Sequence, residues 1–85
     1  MAEKEVGKVT HYFGRVGVAA VQLSDTLSVG DVIHVTGHTS DFTQTVESMQ
    51  IEHDAVSVAH SGQSVGIRVK EHAREQDTVC KVLPG

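Results

Sequence analysis

The chain has one cysteine, Cys80, one proline, Pro84, no tryptophan, and only three aromatic residues, Tyr12, Phe13 and Phe42. A single cysteine excludes an intramolecular disulfide, so no covalent bridge staples the fold. Cations are also scarce. Seven Lys and Arg stand against eleven Asp and Glu, a net charge of −4. That balance excludes a protein that coats nucleic acid through many phosphate contacts, while leaving room for a local basic patch. No apolar run approaches the roughly 18 residues of a membrane-spanning helix, and no charged start is followed by the apolar stretch of a secretion signal. A soluble, cytoplasmic chain is the expectation.

What the chain does contain is enough apolar material, 39% of 85 residues, to form one small core and no second domain. Its β-branched residues recur in short runs separated by Gly, Ser and Asp at intervals of roughly 8–12 residues, the rhythm of an all-β protein. Residues 1–5 are a polar start and 6–85 a single domain. Strands are expected at 6–13 and 16–23, joined by a tight Gly14-Arg15 turn, then at 31–37, 42–53, 56–59 and 78–83. The run from Val16 to Leu23 is apolar on both faces, as in a strand covered on both sides. In 42–53, Val46 and Met49 fall on opposite parities, which predicts a bulge near Ser48. Val65, Ile67 and Val69 alternate with Gly66, Arg68 and Lys70 and mark a half-buried strand. Six or seven strands in so short a chain predict a single closed or nearly closed antiparallel β-barrel, which leaves no edges to aggregate.

The segments GRVGVAAVQLSDTLSVGDVIHVTG (14–37) and TVESMQIEHDAVSVAHSGQSVGIRVK (45–70) resemble the second-domain β-barrel of translational GTPases such as elongation factor Tu. The carriers are Gly14, Val29-Gly30-Asp31, Ile33-His34-Val35 before Gly37, the stretch 46–49, and Ala59 with 62–67. The set is also similar to free-standing elongation-factor-like small proteins and to the barrel appended to collagenase-like peptidases. No G-x-x-x-x-G-K-[ST] loop is present, so GTP binding by this chain is not expected. Gln76-Asp77 stands where the resemblance leads one to expect Gly-Asp before the last strand.

The resemblance implies a translation- or RNA-associated binding module without catalysis or cofactor, its partners tRNA, ribosomal RNA or a translation-associated protein. The alternative is a protein-interaction module docking in trans with no RNA contact. The candidate contact residues are Tyr12, Phe13 and Arg15, where an exposed aromatic beside cations suits stacking on an unpaired base, together with Arg68 and Lys70 on one strand face. The competing reading, since adjacent strand residues face opposite ways, packs one of Tyr12 and Phe13 in the core and leaves the other over a barrel end. Six histidines raise the question of a metal. His34 and His38 have helical H-x-x-x-H spacing, but they flank a strand end and Gly37, so no metal site is assigned. Cys80 lies in a β-run where a buried thiol is expected rather than a nucleophile. The sequence leaves the oligomeric state open.

Overall fold

Where alternation in the sequence is strictest, the strand is present: Val65 and Ile67 are buried, while Ser64 and Arg68 face solvent. The computed structural model describes residues 2–84. Its elements are β1 (Ala2–Phe13), β2 (Val18–Leu23), β3 (Leu27–Ser28), β4 (Val32–Thr36), β5 (Asp41–Thr45), β6 (Met49–Ile51), β7 (Asp54–Val56), β8 (Val58–Ala59), β9 (Ser64–Arg68) and β10 (Thr78–Leu83). The described residues form no helix, so no helix is long and apolar enough to cross a membrane. The all-β expectation therefore holds.

Eight strands form one antiparallel sheet in the order β5-β4-β10-β1-β2-β9-β6-β7, and β3 pairs with β8 as a separate ribbon. β1 is the hub, pairing with β10 on one side and β2 on the other. Its register slips between Glu5 and Gly7 against β10, and between Val9 and His11 against β2. Each slip inserts a residue and bends the strand. The bends let one strand of twelve residues follow a curled sheet while Val6 and Val9 stay buried. At Gly7 a Cβ would lie 2.7 Å from the Gln22 carbonyl oxygen and 2.8 Å from a Val21 methyl, so no larger residue fits between β1 and β2. Leu27 and Ala59 from the ribbon enter the same core as Ile33, Val35, Met49, Ile67 and Val79.

The sheet does not close into a barrel. Its terminal strands are β5 and β7, and the two do not pair. Where β5 approaches the chain leaving β9, a side chain stands in for a strand. Gln44 donates from Nε2 to the Arg68 carbonyl at 2.8 Å, and its Oε1 accepts from the Lys70 N–H at 2.8 Å. The amide of Gln44, only 6% exposed, thus copies the donor and acceptor of one peptide unit across the seam.

Other boundaries shift for local reasons. The long strand expected at 42–53 is two strands. Val46 turns fully into the core and exchanges backbone hydrogen bonds with the loop before β4, donating to Asp31 O and accepting from Gly30 N. This interruption replaces the bulge expected near Ser48. The polar start is paired from Ala2 onward as part of β1. After β1, the turn spans 14–17, and the positive φ of 69° falls on Gly17 rather than on the Gly14-Arg15 pair.

The turn before β10 keeps a glycine-like backbone without a glycine. Gln76 has φ 76°, a left-handed conformation that L side chains adopt at a cost. The turn holds because Gln76 N–H donates to Val9 O and Val9 N–H donates to Asp77 O, both at 2.8 Å. Asp77, 3% exposed, accepts from the Arg74 N–H, and it fills the space where a Cβ on Gly37 would stand.

Charges are placed to tie strands that are not neighbours in sequence. Lys4 and Lys81 oppose each other in the β1–β10 register, and each is offset by an aspartate: Lys4 by Asp25, Lys81 by Asp31 at 3.4 Å. The Lys4 ammonium, with the Thr26 N–H, holds the Asp25 carboxyl below its ordinary range. On the opposite face His34 of β4 contacts Asp41 of β5 through Nε2 at 2.6 Å and Glu3 of β1 through Nδ1 at 2.9 Å. The hydrogen bond to Asp41, then that to Glu3, raises the His34 pKa above 6.5.

Three outcomes follow for stability. Replacing Gln76 by Gly relieves the left-handed strain but adds freedom to the unfolded chain, so a net gain of about 0.5–1 kcal/mol is expected in urea unfolding, with Gln76→Ala giving none. Gln44→Met strands the part-buried Arg68 carbonyl and Lys70 N–H at the seam and lowers stability by roughly 1–2 kcal/mol in the same measurement. The raised His34 pKa means the folded state binds its proton more tightly than the unfolded state. Its contribution is fully present below pH 6.5 and lost as pH rises through the raised value. The thermal midpoint should therefore fall across that range, and His34→Gln should flatten that part of the profile.

Candidate functional site

Adjacent residues of a strand face opposite ways, and that alternation decides the fate of the aromatic pair. Tyr12 turns inward, packs against the core and stacks on His72 with ring centroids 4.4 Å apart. Phe13 turns outward, is 48% exposed, and meets the His11 ring edge-on at 4.4 Å. The two rings thus lie on opposite faces of the sheet, one against the core and one outside, as strand alternation predicts, so they form no joint stacking surface.

Phe13 is aligned across the sheet with other outward residues. Its register partner on β2 is Val18, whose partner on β9 is Arg68. The next row is His11, Ala20, Gly66 and, on β6, Gln50. Register partners of an antiparallel pair project to the same side. The result is a groove of about 630 Å³ on the outer face. Phe13, Val16 and Val18 form its apolar wall, Ala20 and Gly66 its floor, and Gln50, Glu52, His53, Ser64 and Arg68 its polar rim. Val16, carried on the turn after β1, is 56% exposed. At Gly66 a Cβ would come 3.2 Å from a Val18 methyl, so glycine keeps the floor low.

Two local features shape the groove. The β6–β9 ladder stops at Gln50–Gly66, whereas β9 continues through Val65 and Ser64 with β2 as partner on its other side. The β6–β7 hairpin turns on Glu52 and His53, both with positive φ, 50° and 70°. This is the primed-turn pattern usually filled by Asn-Gly, and it sets both side chains on the rim.

Of the five residues singled out from the sequence, Phe13 and Arg68 line the groove, and Arg15 sits in the adjoining turn. Tyr12 belongs to the other face. Lys70 lies beyond the end of β9 and does not line the groove. Among the described residues, neither Arg15 nor Arg68 makes an ion pair with a carboxylate. Val18, Ala20, Gln50, Glu52 and His53 were not singled out as contact residues. The signal that could have found the first two was the run apolar on both faces, because a strand at the surface has no structural use for a second apolar face.

A second cluster joins Cys80 and His34, register partners on β10 and β4. Both imidazole nitrogens are engaged by carboxylates, which leaves neither to accept a proton from the thiol. Burial, then the charges of Glu3 and Glu5, push the Cys80 pKa up, so the thiol form prevails at neutral pH. Among the described residues, no group of three or more His, Cys, Asp or Glu is arranged to hold a metal ion.

No family model matches the chain. It is 37% identical over 76 residues to an uncharacterized protease of Methanocaldococcus jannaschii, covering 88% of this chain and 19% of that protein. It is 42% identical over 78 residues to a collagenase of Porphyromonas gingivalis, covering 89% of this chain and 22% of the collagenase. The chain thus spans about a fifth of the length of these curated relatives. Among solved structures, the C-terminal domain of a U32 peptidase from Geobacillus thermoleovorans superposes with a TM-score of 0.88 at 26% identity, covering 94% of this chain and 93% of that one. Its selenomethionine variant gives 0.85 at 26% identity, covering 89% and 96%.

These matches overturn three expectations: the likeness to a translation-factor second domain, the translation- or RNA-associated function, and the assignment as no enzyme. Turn glycines and Val-Gly-Asp corners occur in many small β-domains, so those positions did not report translation, whereas the likeness they also carried to the β-domain of collagenase-like peptidases agrees with the 42% identical collagenase. The chain is similar, over nearly its whole length, to the C-terminal domain of a U32 peptidase.

Proposed function

We propose that this chain serves as the β-domain of a U32-type peptidase and works on the polypeptides that such an enzyme hydrolyses. The observation that carries the reading is coverage. The similarity to the solved peptidase domain extends over 94% of this chain and 93% of that one, so the whole unit corresponds, not a shared hairpin. The names of the curated relatives, a protease and a collagenase, supply the reaction class, hydrolysis of peptide bonds in protein substrates. The outer face is compatible with it, since an apolar groove with a polar rim on a sheet is a surface that an extended polypeptide can occupy.

The test uses the Porphyromonas gingivalis collagenase, which contains a matching segment of 78 residues. Deleting that segment should lower gelatin hydrolysis by about tenfold or more, equivalent to about 1.4 kcal/mol of transition-state stabilisation. Grafting this chain in its place should restore most of the loss. A graft that is folded by circular dichroism yet no better than the deletion overturns the reading, and so does a deletion that leaves gelatin hydrolysis unchanged.

A further inference from the structure

We propose that the outer-face groove is a binding site for an extended, apolar polypeptide segment that carries an acidic side chain, with that carboxylate at Arg68. The proposal rests on the peptidase-domain reading and adds to it a site and the kind of segment that site takes.

Three observations converge on this occupant. The first is the apolar wall: Phe13 and Val16 are 48% and 56% exposed, and Val18 stands between Phe13 and Arg68 in the register. Exposed large apolar side chains gathered on one face mark an interaction surface. The second is the interrupted ladder. Ser64 and Val65 continue β9 past the last residue that β6 pairs, and Gly66 leaves the floor bare beside them. Val65 is hydrogen-bonded to Val21 of β2, so of the two only Ser64 turns its N–H and C=O past the end of β6, the edge geometry at which extended peptides are recognised.

The third is charge. The register sets Arg68 at one end of the groove, because it lies two residues beyond Gly66 in one direction, and Glu52 at the other, because it lies two residues beyond Gln50 in the opposite direction. Among the described residues Lys8, Arg15, Arg68, Lys70 and Arg74 make no ion pair with a carboxylate, and of these cations only Arg68 lines the groove. An acidic side chain in the segment completes a pair with Arg68, and Glu52 repels it from the other end. The charges thus fix the direction in which the segment lies.

The test is nuclear magnetic resonance titration of the full chain with a blocked hexapeptide of Val and Thr that carries one Glu. Amide shifts should concentrate at Phe13, Val18, Gly66 and Arg68, with a Kd on the order of 0.1–1 mM. Arg68→Glu should weaken this peptide by about tenfold and favour the same peptide carrying Lys in place of Glu. Val18→Ser, which leaves the charges alone, should weaken both peptides. Several results overturn the proposal: no shift at millimolar peptide, shifts centred elsewhere, or equal affinity for the Glu and Lys peptides. Equal binding of a Gln peptide with a free C-terminus does so too, because the chain end would then carry the recognition. Shifts at the groove produced by protein concentration alone, or by single-stranded RNA while the peptide is silent, overturn it in favour of a second copy or of RNA. The collagenase graft separates this failure from that of the peptidase reading: a graft that restores gelatin hydrolysis while the free chain ignores the peptide sinks the groove alone.

Discussion

The arrangement depends on a single strand that must serve two neighbours while bending. β1 carries β10 on one edge and β2 on the other, and a straight strand of its length would hold those partners in a flat sheet with no interior. The slips at Glu5–Gly7 and Val9–His11 supply the bend. They also set the parity of everything downstream. With Val9 inward and the register advanced by one residue, Tyr12 enters the core side and Phe13 is left outside. The outer groove is thus a by-product of the same irregularities that let the core close over Val6 and Val9.

That dependence explains what could be read from the residues alone. Alternation at 65–69 and the β-run at 78–83 located β9 and β10 because each strand's periodicity is a local property. The all-β class followed from the same signal. The slips in β1 were not legible, since a bulge is specified by two partners that differ in register and neither partner lies nearby in sequence. The interruption at Val46 was hidden for a similar reason: its backbone partners, Gly30 and Asp31, belong to a loop that only the fold brings alongside. Gln76 conceals its left-handed conformation behind an ordinary residue type, and only the paired hydrogen bonds to Val9 reveal why the chain tolerates it.

The candidate site shows the same division. Phe13 and Arg68 were visible as an exposed aromatic and a strand-face cation, but they are 55 positions apart and meet only through Val18. Local grouping instead joined Tyr12 to Phe13 and Arg68 to Lys70, pairs that the sheet separates or leaves outside the groove. The functional reading moved for a related reason. Glycine-marked turns constrain how a small sheet curves, and curvature is common to domains with unrelated duties. Similarity along the full chain discriminates where a handful of turns does not.

The seam at Gln44 has a consequence for how the molecule keeps to itself in solution. A sealed barrel has no free margins, whereas this sheet retains two, β5 and β7. Each margin is a row of backbone groups able to recruit a strand from another molecule and so to seed polymerisation. The chain limits that hazard by brevity and by charge: β7 runs only from Asp54 to Val56, and both margins begin with an aspartate, Asp41 and Asp54. Across the seam, the Arg68 carbonyl and the Lys70 N–H are already taken by the Gln44 amide, which reaches them before a foreign chain can.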